Sequence, residues 1–221
     1  MSRRSYEQFC GLARALDLIG ERWTLLIVRE LASGPKRYTD LATSLEGVGS
    51  SLLASRVKQL EADGLVVRSQ LPPPAASVVY ELTESGWALA RAMAPLALWG
   101  MRNLLDGGPG DREAYRAEWG LAMIAQLIDP DQLSGVETVY DFDIEGSFAR
   151  LHIHDGRAEV LPGKQPGPAD AVITSTIAAL ASIISGAGAL SELLASRDIV
   201  VDGDPEAVSA LVGLLPLGAA S

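Results

Sequence analysis

Apolar residues recur every three or four positions through residues 7–63, which is the spacing of one face of an α-helix. The apolar runs end at glycine or proline signals such as Gly20, Gly34-Pro35 and Gly64. Beyond them, two short valine-rich segments separated by a proline loop have the pattern of strands. The predicted helices span residues 7–19, 23–32, 38–45 and 50–63, and the predicted strands span 65–68 and 78–82.

The last three of these helices, followed by the two-stranded hairpin, have the layout of a winged helix-turn-helix, whose last helix can enter the major groove of DNA. On the 50–63 helix, Leu53, Val57 and Leu60 form the stripe that faces the core. The opposite side presents small or polar side chains, which let a helix lie close to base edges. A solvated helix face explains the same pattern, so periodicity alone does not distinguish a DNA-binding face from a solvent-exposed one. The candidate DNA contacts are Lys36, Arg37, Thr39, Ser50, Ser51, Ser55, Arg56 and Lys58.

One of these candidates, Arg56, lies at the edge of the apolar stripe and has two possible roles, which are to contact the DNA backbone or to anchor the fold. A longer apolar segment, residues 84–105, follows the hairpin, and Pro95 predicts a kink within it. Because a helix this apolar does not stay exposed to water, we expect it to pack on the first helix, on a second domain, or across a two-fold axis.

In the second half of the chain, alternating apolar and polar positions predict strands that each bury one face. The strands are expected at 138–145, 148–154, 158–161, 171–174 and 199–201. The helices are expected at 112–128, 175–185, 190–196 and after the capping pair Asp204-Pro205. This order predicts an antiparallel sheet covered by helices, so the whole chain belongs to the α+β class.

Charge divides the chain into two parts. Residues 1–105 hold twelve Lys or Arg against ten Asp or Glu, a net of +2, whereas residues 106–221 hold six against eighteen, a net of −12. The run Asp106-Gly107-Gly108-Pro109-Gly110-Asp111 lies at the change of sign and has the composition of a linker. We therefore predict one domain over 1–105 and a second over 106–221. Because an acidic surface repels a polyanion, double-stranded DNA is expected to approach only the first.

Composition sets further limits. Hydrophobic residues make up 48% and charged residues 21% of the chain, which excludes an intrinsically disordered protein. Cys10 is the only cysteine, which excludes an internal disulfide. The N-terminal residues also lack the apolar stretch of a secretory signal. A cytoplasmic location is therefore expected. The uncharged segment 171–191 is long enough to cross a membrane, but its Ser, Thr and Gly residues favour a buried strand and helix, and no membrane association is expected.

Several motifs occur together within residues 6–100. They are Cys10, Gly20-x-Arg22-Trp23-Thr24, Arg56, the Asp63-Gly64-Leu65 turn and Tyr80-x-Leu82-Thr83 after the hairpin loop. In this set the chain resembles the HxlR-type family of bacterial winged-helix transcription regulators. The resemblance implies a homodimer that places two recognition helices about one DNA turn apart, roughly 34 Å, on a palindromic operator. Regulators of this family often have a basic hairpin loop, whereas residues 70–79 carry no charge here.

The same resemblance makes Cys10 a candidate redox site, because some regulators of this kind sense oxidants or electrophiles through a cysteine at this place. Oxidation needs an exposed thiolate. Cys10 lies beside the apolar stripe of the first helix and near Arg14, a position that favours a buried, inert thiol.

The second half resembles the sterol carrier protein type two fold between about residues 113 and 217. The segments that carry this likeness are YDFDIEG, LHIHDGRAEVLPG, ADAVITST and IVVDGDPEAV, in the order of that family. The resemblance implies a cavity for a fatty, sterol-like or other hydrophobic small-molecule effector. Alternatively, the same apolar residues close on one another, and the domain only assists assembly. The candidate ligand-binding residues are Trp119, Met123, Phe142, Ile177, Leu180, Ile184, Leu194 and Leu211.

Two polar groups in the predicted sheet have metal-ligand chemistry. His152 and His154 share one strand face and form half of a metal site, but zinc takes four ligands and no cysteine is near, so we expect histidines that face solvent or a pocket rim. Asp141, Asp143 and Glu145 also share a face, for which a solvated sheet surface is expected. The chain has no nucleophile elbow, phosphate-binding loop or dinucleotide fingerprint, so we expect no enzyme activity, metal or cofactor.

Together, these observations predict a ligand-responsive transcription regulator, in which the winged helix binds operator DNA and the C-terminal domain binds a hydrophobic effector. Two alternatives stay open. The uncharged hairpin loop fits a carrier or accessory protein whose winged helix serves only dimerisation, and Cys10 fits a thiol redox sensor.

Overall fold

The computed structural model describes residues 5–74, 76–105, 110, 113–185 and 188–214, and for residues 184 and 185 it describes the backbone alone. The predicted linker, residues 106–111, lies outside the described residues except for Gly110. Contacts divide the chain into two compact units, Met1–Ala90 and Arg91–Ser221.

The first unit contains a winged helix-turn-helix, as the sequence predicts. Its helices are α1 Gly11–Ile19, α2 Thr24–Leu31, α3 Tyr38–Ser44 and α4 Ser50–Ala62, and its hairpin pairs β1 Val66–Gln70 with β2 Val78–Leu82 in antiparallel register. The core draws apolar side chains from the second to fourth helices and from both strands. Its most buried members include Ile27, Leu31, Leu41, Leu53, Leu60, Val66 and Val79.

Three local features hold α3, α4 and the hairpin in place. The turn between the two helices passes through Gly47, whose φ of +90° lies in the left-handed region that glycine adopts without strain. Tyr38 Oη donates a 2.8 Å hydrogen bond to the carbonyl of Ser50, which ties the start of α3 to the start of α4. Lys36 and Tyr80 exchange backbone hydrogen bonds of 3.0 and 2.8 Å, so the segment before α3 pairs with β2.

The apolar stripe of α1 is exposed in the single chain. The helix begins at Gly11, later than the predicted residue 7, and Ala13 is buried. By contrast, Phe9, Leu12 and Leu16 expose 105%, 69% and 40% of their surface. Amphipathic periodicity identifies an apolar face but not what covers it.

The long apolar helix is α5, Glu84–Leu104, which continues through Pro95. Met93 is buried, whereas Leu96 and Trp99 each expose 54% of their surface. The predicted apolar helix is therefore only partly covered within one chain.

The second unit is built on a sheet of five described strands with helices around it. The strands are β3 Thr138–Ile144, β4 Ser147–His154, β5 Arg157–Pro162, β6 Ala171–Ser175 and β7 Ile199–Gly203. The helices are α6 Ala117–Ala125, α7 Ile177–Ser185, α8 Leu190–Ser196 and α9 Pro205–Leu214, with a 3₁₀ turn at Pro130–Leu133.

The described strands lie in the order β5-β4-β3-β6-β7, and three of the four neighbouring pairs are antiparallel. The fourth pair, formed by the central strand β3 with β6, is parallel. The prediction of an antiparallel sheet is therefore right for most of the sheet and wrong for this pair. Alternation of polar and apolar residues determines which face of a strand is buried, but it does not determine strand order or direction.

One face of the sheet is apolar and is covered by helices. Tyr140, Phe142 and Ile144 of β3 are buried there, and α6 packs against β3, β4 and β5. The α9 helix packs against β7, and Tyr140 Oη donates a 2.9 Å hydrogen bond to the carbonyl of Ala207. The opposite face carries polar side chains, among which is Asp141.

The uncharged segment that begins at residue 171 forms β6 and α7. Among the described residues, no helix combines the length and the hydropathy needed to span a bilayer. Within α8, all of whose residues are described, none is buried, and Leu194 exposes 42% of its surface. Leu194, a predicted ligand-binding residue, is therefore exposed, because a leucine-rich run indicates an apolar face and not its depth.

Candidate functional site

The outer face of α4, which we define as Ser51, Ala54, Ser55 and Lys58, is exposed along its length. These residues recur at spacings of three and four, so they lie on one side of the helix. The other side is buried through Leu53, Val57 and Leu60. Because burial of one side determines the rotation of the helix about its axis, the outer face of α4 is held toward solvent.

Three other candidate DNA contacts, Lys36, Arg37 and Thr39, lie at the start of α3, next to the first turn of α4. Arg37 and Thr39 are exposed, and Lys36 is half-buried. The Arg37 N–H donates a 2.9 Å hydrogen bond to Asp40 Oδ2, which caps α3. Ser50 is exposed beside them. The Tyr38–Ser50 hydrogen bond places the start of α3 beside the first turn of α4.

Arg56 is placed differently from the other candidates. Its side chain is largely buried, and Nη2 donates a 2.7 Å hydrogen bond to Glu21 Oε2 in an ion pair. Glu21 lies between α1 and α2, so this pair ties α4 to the preceding helices. Of the two roles left open by the sequence, the geometry supports anchoring of the fold.

One exposed cation near this surface was not predicted from the sequence. Arg68 lies on β1, opposite Tyr80 of β2, and its side chain is exposed. The signal that identifies it is a basic residue within a predicted hairpin strand.

Cys10 is exposed, so the expectation of a buried thiol is wrong. It occupies the N-cap position of α1, where its carbonyl accepts a 2.9 Å hydrogen bond from the Arg14 N–H. The expectation failed because the apolar stripe beside Cys10 is itself uncovered in the single chain. An exposed thiol is accessible to oxidants and electrophiles.

The candidate ligand-binding residues of the second unit differ in burial. Three come from elements that meet at the apolar face of the sheet and are buried, namely Met123 of α6, Phe142 of β3 and Leu211 of α9. Three others are half-buried, namely Trp119, Ile177 and Leu180. Leu194 is exposed, and the side chain of Ile184 lies outside those that the structure describes.

A polar group that was not predicted from the sequence lies beside α6 and α7. Glu145 Oε1 accepts a 3.2 Å hydrogen bond from the Ile177 N–H at the start of α7. Burial raises the pKa of Tyr115 to about 12, and the charges of Glu145 and Glu118 add to the rise. The Tyr115 phenol therefore stays protonated at neutral pH and can donate a hydrogen bond. Tyr115 and Glu145 are distant in sequence, so only the fold brings them together.

The three carboxylates of β3 and its turn do not converge on one point. Arg150 donates from Nε and Nη2 to both carboxylate oxygens of Asp141, at 2.7 and 2.8 Å, and its guanidinium also binds the carbonyls of residues 166 and 167. The hydrogen bonds to Asp141 raise the pKa of Arg150. Asp143 accepts a 3.0 Å hydrogen bond from a turn N–H, and Glu145 accepts one from the first N–H of α7. Each carboxylate thus has a separate structural partner.

Two family models match the chain. The one described as HxlR-like helix-turn-helix matches residues 18–107, and the one described as SCP-2 sterol transfer family matches residues 122–216. Both matches agree with the resemblances carried by the sequence motifs.

Similar proteins include bacterial helix-turn-helix regulators. The HTH-type transcriptional regulator YodB of Bacillus subtilis (strain 168) is 36% identical over 85 residues, which are 38% of this chain and 76% of YodB. The uncharacterized HTH-type transcriptional regulator Rv3095 of Mycobacterium tuberculosis is 42% identical over 90 residues, which are 41% of this chain and 56% of that protein. The solved structure of the reduced form of YodB from B. subtilis covers 46% of this chain and 100% of its own, at 32% identity and a TM-score of 0.40.

Proposed function

Because the chain belongs to the HxlR-like family of helix-turn-helix transcription regulators and carries an SCP-2 sterol transfer domain, we propose that it binds a palindromic operator as a homodimer. A hydrophobic small molecule, held in the C-terminal domain, changes the affinity of the dimer for double-stranded DNA in the cytoplasm. Direct contacts to DNA come from the outer face of α4, with Lys36, Arg37, Thr39 and Ser50 at its edge.

The observation that carries this proposal is the exposed outer face of α4 on a helix whose other side is buried. Short side chains allow the helix backbone to approach base edges, and the hydroxyls of Ser51 and Ser55 donate or accept hydrogen bonds there. Lys58 reaches a base acceptor or a phosphate. Since residues 70–79 carry no charge, we expect few phosphate contacts and a shallow dependence of affinity on salt.

Charge reversal of Lys58 tests the DNA-binding part of the proposal. The DNA is selected by the full chain from a random duplex pool, and affinity is measured by fluorescence anisotropy at several salt concentrations. Lys58→Glu is expected to weaken binding at least about tenfold and to reduce the salt slope by about 0.9 for each phosphate that the variant no longer neutralises. Lys164→Glu is the matched control, because it makes the same charge change in the second unit. Equal affinities of the two variants would contradict the proposal.

The ligand-binding part rests on the apolar layer between the sheet and its helices. Met123, Phe142 and Leu211 provide its buried members. Glu145, whose charge acts on the Tyr115 phenol, also accepts a hydrogen bond from the first N–H of α7, and we infer that this polar group suits the polar end of a largely apolar molecule. Suppose that a ligand binds one conformation of the dimer more tightly than another, and that the two conformations differ in affinity for the operator. The ligand then changes the free energy of operator binding by at most the difference between its binding free energies for the two conformations.

Thermal unfolding in the presence of fatty acids, sterols and polyketides tests this part. A ligand that binds only the folded chain raises its melting temperature by mass action. Leu180→Gln, which places an amide at a half-buried position, is expected to reduce that rise, and Val212→Gln, at an exposed position of α9, is the matched control. If no compound of these classes raises the melting temperature of the unmutated chain, a hydrophobic effector is excluded.

A thiol redox sensor is the second candidate function, favoured by the exposure of Cys10. Peroxide treatment is expected to change operator affinity of the unmutated chain and to leave a Cys10→Ser variant unaffected, because Cys10 is the only thiol. An equal response of both proteins, or of neither, rejects the sensor.

A further inference from the structure

Two histidines and a glutamate come together on the polar face of the second unit's sheet. His152 and His154 are two residues apart on β4, so both side chains lie on the same face. Glu159, on the neighbouring strand β5, is directly opposite His152 in the antiparallel ladder. One ligand atom from each of the three residues lies within 4.8 Å of the other two. The histidines are half-buried, and Glu159 is exposed.

The spacing of these atoms suits an ion of the size of zinc. His154 Nε2 is 3.2 Å from Glu159 Oε2, and the ring centroids of His152 and His154 are 4.3 Å apart. Donor atoms about 2.0–2.1 Å from a tetrahedral zinc ion are about 3.3 Å from one another. The His154–Glu159 pair already has this separation, and the ligand atom of His152 lies within 4.8 Å of both.

A second carboxylate is placed to orient His154. Asp155 Oδ2 lies 3.4 Å from His154 Nδ1, on the side of the ring away from Glu159. Histidines that bind metals usually donate their other N–H to a carboxylate or carbonyl, which selects the tautomer and the ring orientation. Asp155 is itself held by a 3.1 Å hydrogen bond from its N–H to Glu137 Oε1. With Nδ1–H directed at Asp155, the Nε2 lone pair faces Glu159.

We propose that His152, His154 and Glu159 bind one divalent transition-metal ion, with Zn²⁺ as the representative of its class. Two imidazoles and one carboxylate favour zinc, nickel or cobalt over calcium and magnesium, which take oxygen ligands. Three protein ligands leave a position open for water or a further ligand. Arg157, opposite His154 in the ladder, is the nearest cation of β5, and its exposed side chain can turn to solvent. The site is on the face opposite the apolar layer, so it does not depend on the effector.

Calorimetric titration of the full chain with Zn²⁺, after removal of metal by a chelator, tests this proposal. A Cys10→Ser background removes the only thiol as a competing ligand. One ion per chain is expected, and His152→Gln, His154→Gln and Glu159→Gln are each expected to weaken binding by at least about tenfold. Asp155→Asn is expected to weaken it by about tenfold with the same stoichiometry. Glu206→Gln, an exposed glutamate of α9, is the matched control and leaves the affinity unchanged.

The visible spectrum of bound Co²⁺ provides an independent readout, because imidazole and carboxylate ligation of low symmetry gives stronger absorption than the hydrated ion. Far-ultraviolet circular dichroism verifies that each variant is folded. The proposal is overturned if the unmutated chain binds no Zn²⁺, or if a folded variant lacking all three side chains binds it with the same affinity.

Discussion

Tyr140 shows what one buried polar group contributes to this fold. Its side chain is fully buried, and its hydroxyl donates a 2.9 Å hydrogen bond to the carbonyl of Ala207 in α9. Removal of the hydroxyl leaves that carbonyl without this donor, in a site from which water is excluded. The same bond is also one of the links between the sheet and α9.

We therefore expect Tyr140→Phe to lower the free energy of unfolding by about 1–2 kcal/mol. Tyr6→Phe, at an exposed position, is the matched control and is expected to have little effect. Urea unfolding measures both. Equal stabilities of the two variants would show that the hydrogen bond to α9 contributes nothing.

A second residue makes stability depend on pH. Hydrogen bonds to Glu159 and Asp155 raise the pKa of His154 above its usual 6.5. Because the folded-state pKa is the higher one, protonated His154 stabilises the fold below about pH 6.5, and this contribution is lost as the pH rises through the folded-state pKa. In the presence of a chelator, Glu159→Gln is expected to destabilise the chain more at about pH 6 than at about pH 9. Urea unfolding of both proteins at the two pH values checks this. A loss of stability in Glu159→Gln that grows with pH would contradict it.

At the level of helices and strands, the winged helix could be predicted from the sequence because its signals are local. Apolar spacing, Gly20, Gly34 and Gly64 placed α2, α3 and α4, and burial of Leu53 and its neighbours confirms the predicted rotation of α4. The second unit was predicted less completely. The parallel pairing of β3 with β6 depends on how the chain returns after β5, which residue patterns do not encode.

The candidate sites also divide into those that local sequence identifies and those that depend on the tertiary fold. A helical wheel is sufficient to find the outer face of α4, since all its residues belong to one helix. The cluster of His152, His154 and Glu159 requires the register between β4 and β5, and the approach of Tyr115 to Glu145 requires the tertiary fold. The exposure of Cys10 could not be predicted because it depends on what covers α1.

The uncovered stripe of α1 supports the proposed homodimer. Phe9, Leu12 and Leu16 present an apolar surface that one chain leaves in water. Leu12→Asp is expected to shift the chain toward monomer, because association would bury a charge. Val212→Asp makes the same change at an exposed position of α9 and is expected to leave the mass unchanged. Sedimentation velocity measures the mass, and a monomeric unmutated chain, or an unaffected Leu12→Asp dimer, would contradict the proposal.

For the whole molecule, charge is distributed unequally along the chain. The first part, residues 1–105, has a net charge of +2 and contains the outer face of α4, and the second part, residues 106–221, has a net charge of −12 and contains the apolar layer under the sheet. This distribution is consistent with the proposed approach of DNA to the first part and of an uncharged ligand to the second. Coupling between the two sites is reciprocal, so an effector that weakens operator binding is itself bound more weakly by the operator complex.

Footprinting of the full, unmutated chain on its selected duplex tests the central claim most directly. A homodimer that reads DNA through α4 is expected to protect two half-sites whose centres are about 10–10.5 base pairs apart, related by a two-fold axis. The absence of protected bases at every salt concentration, or protection without this symmetry, would contradict the account.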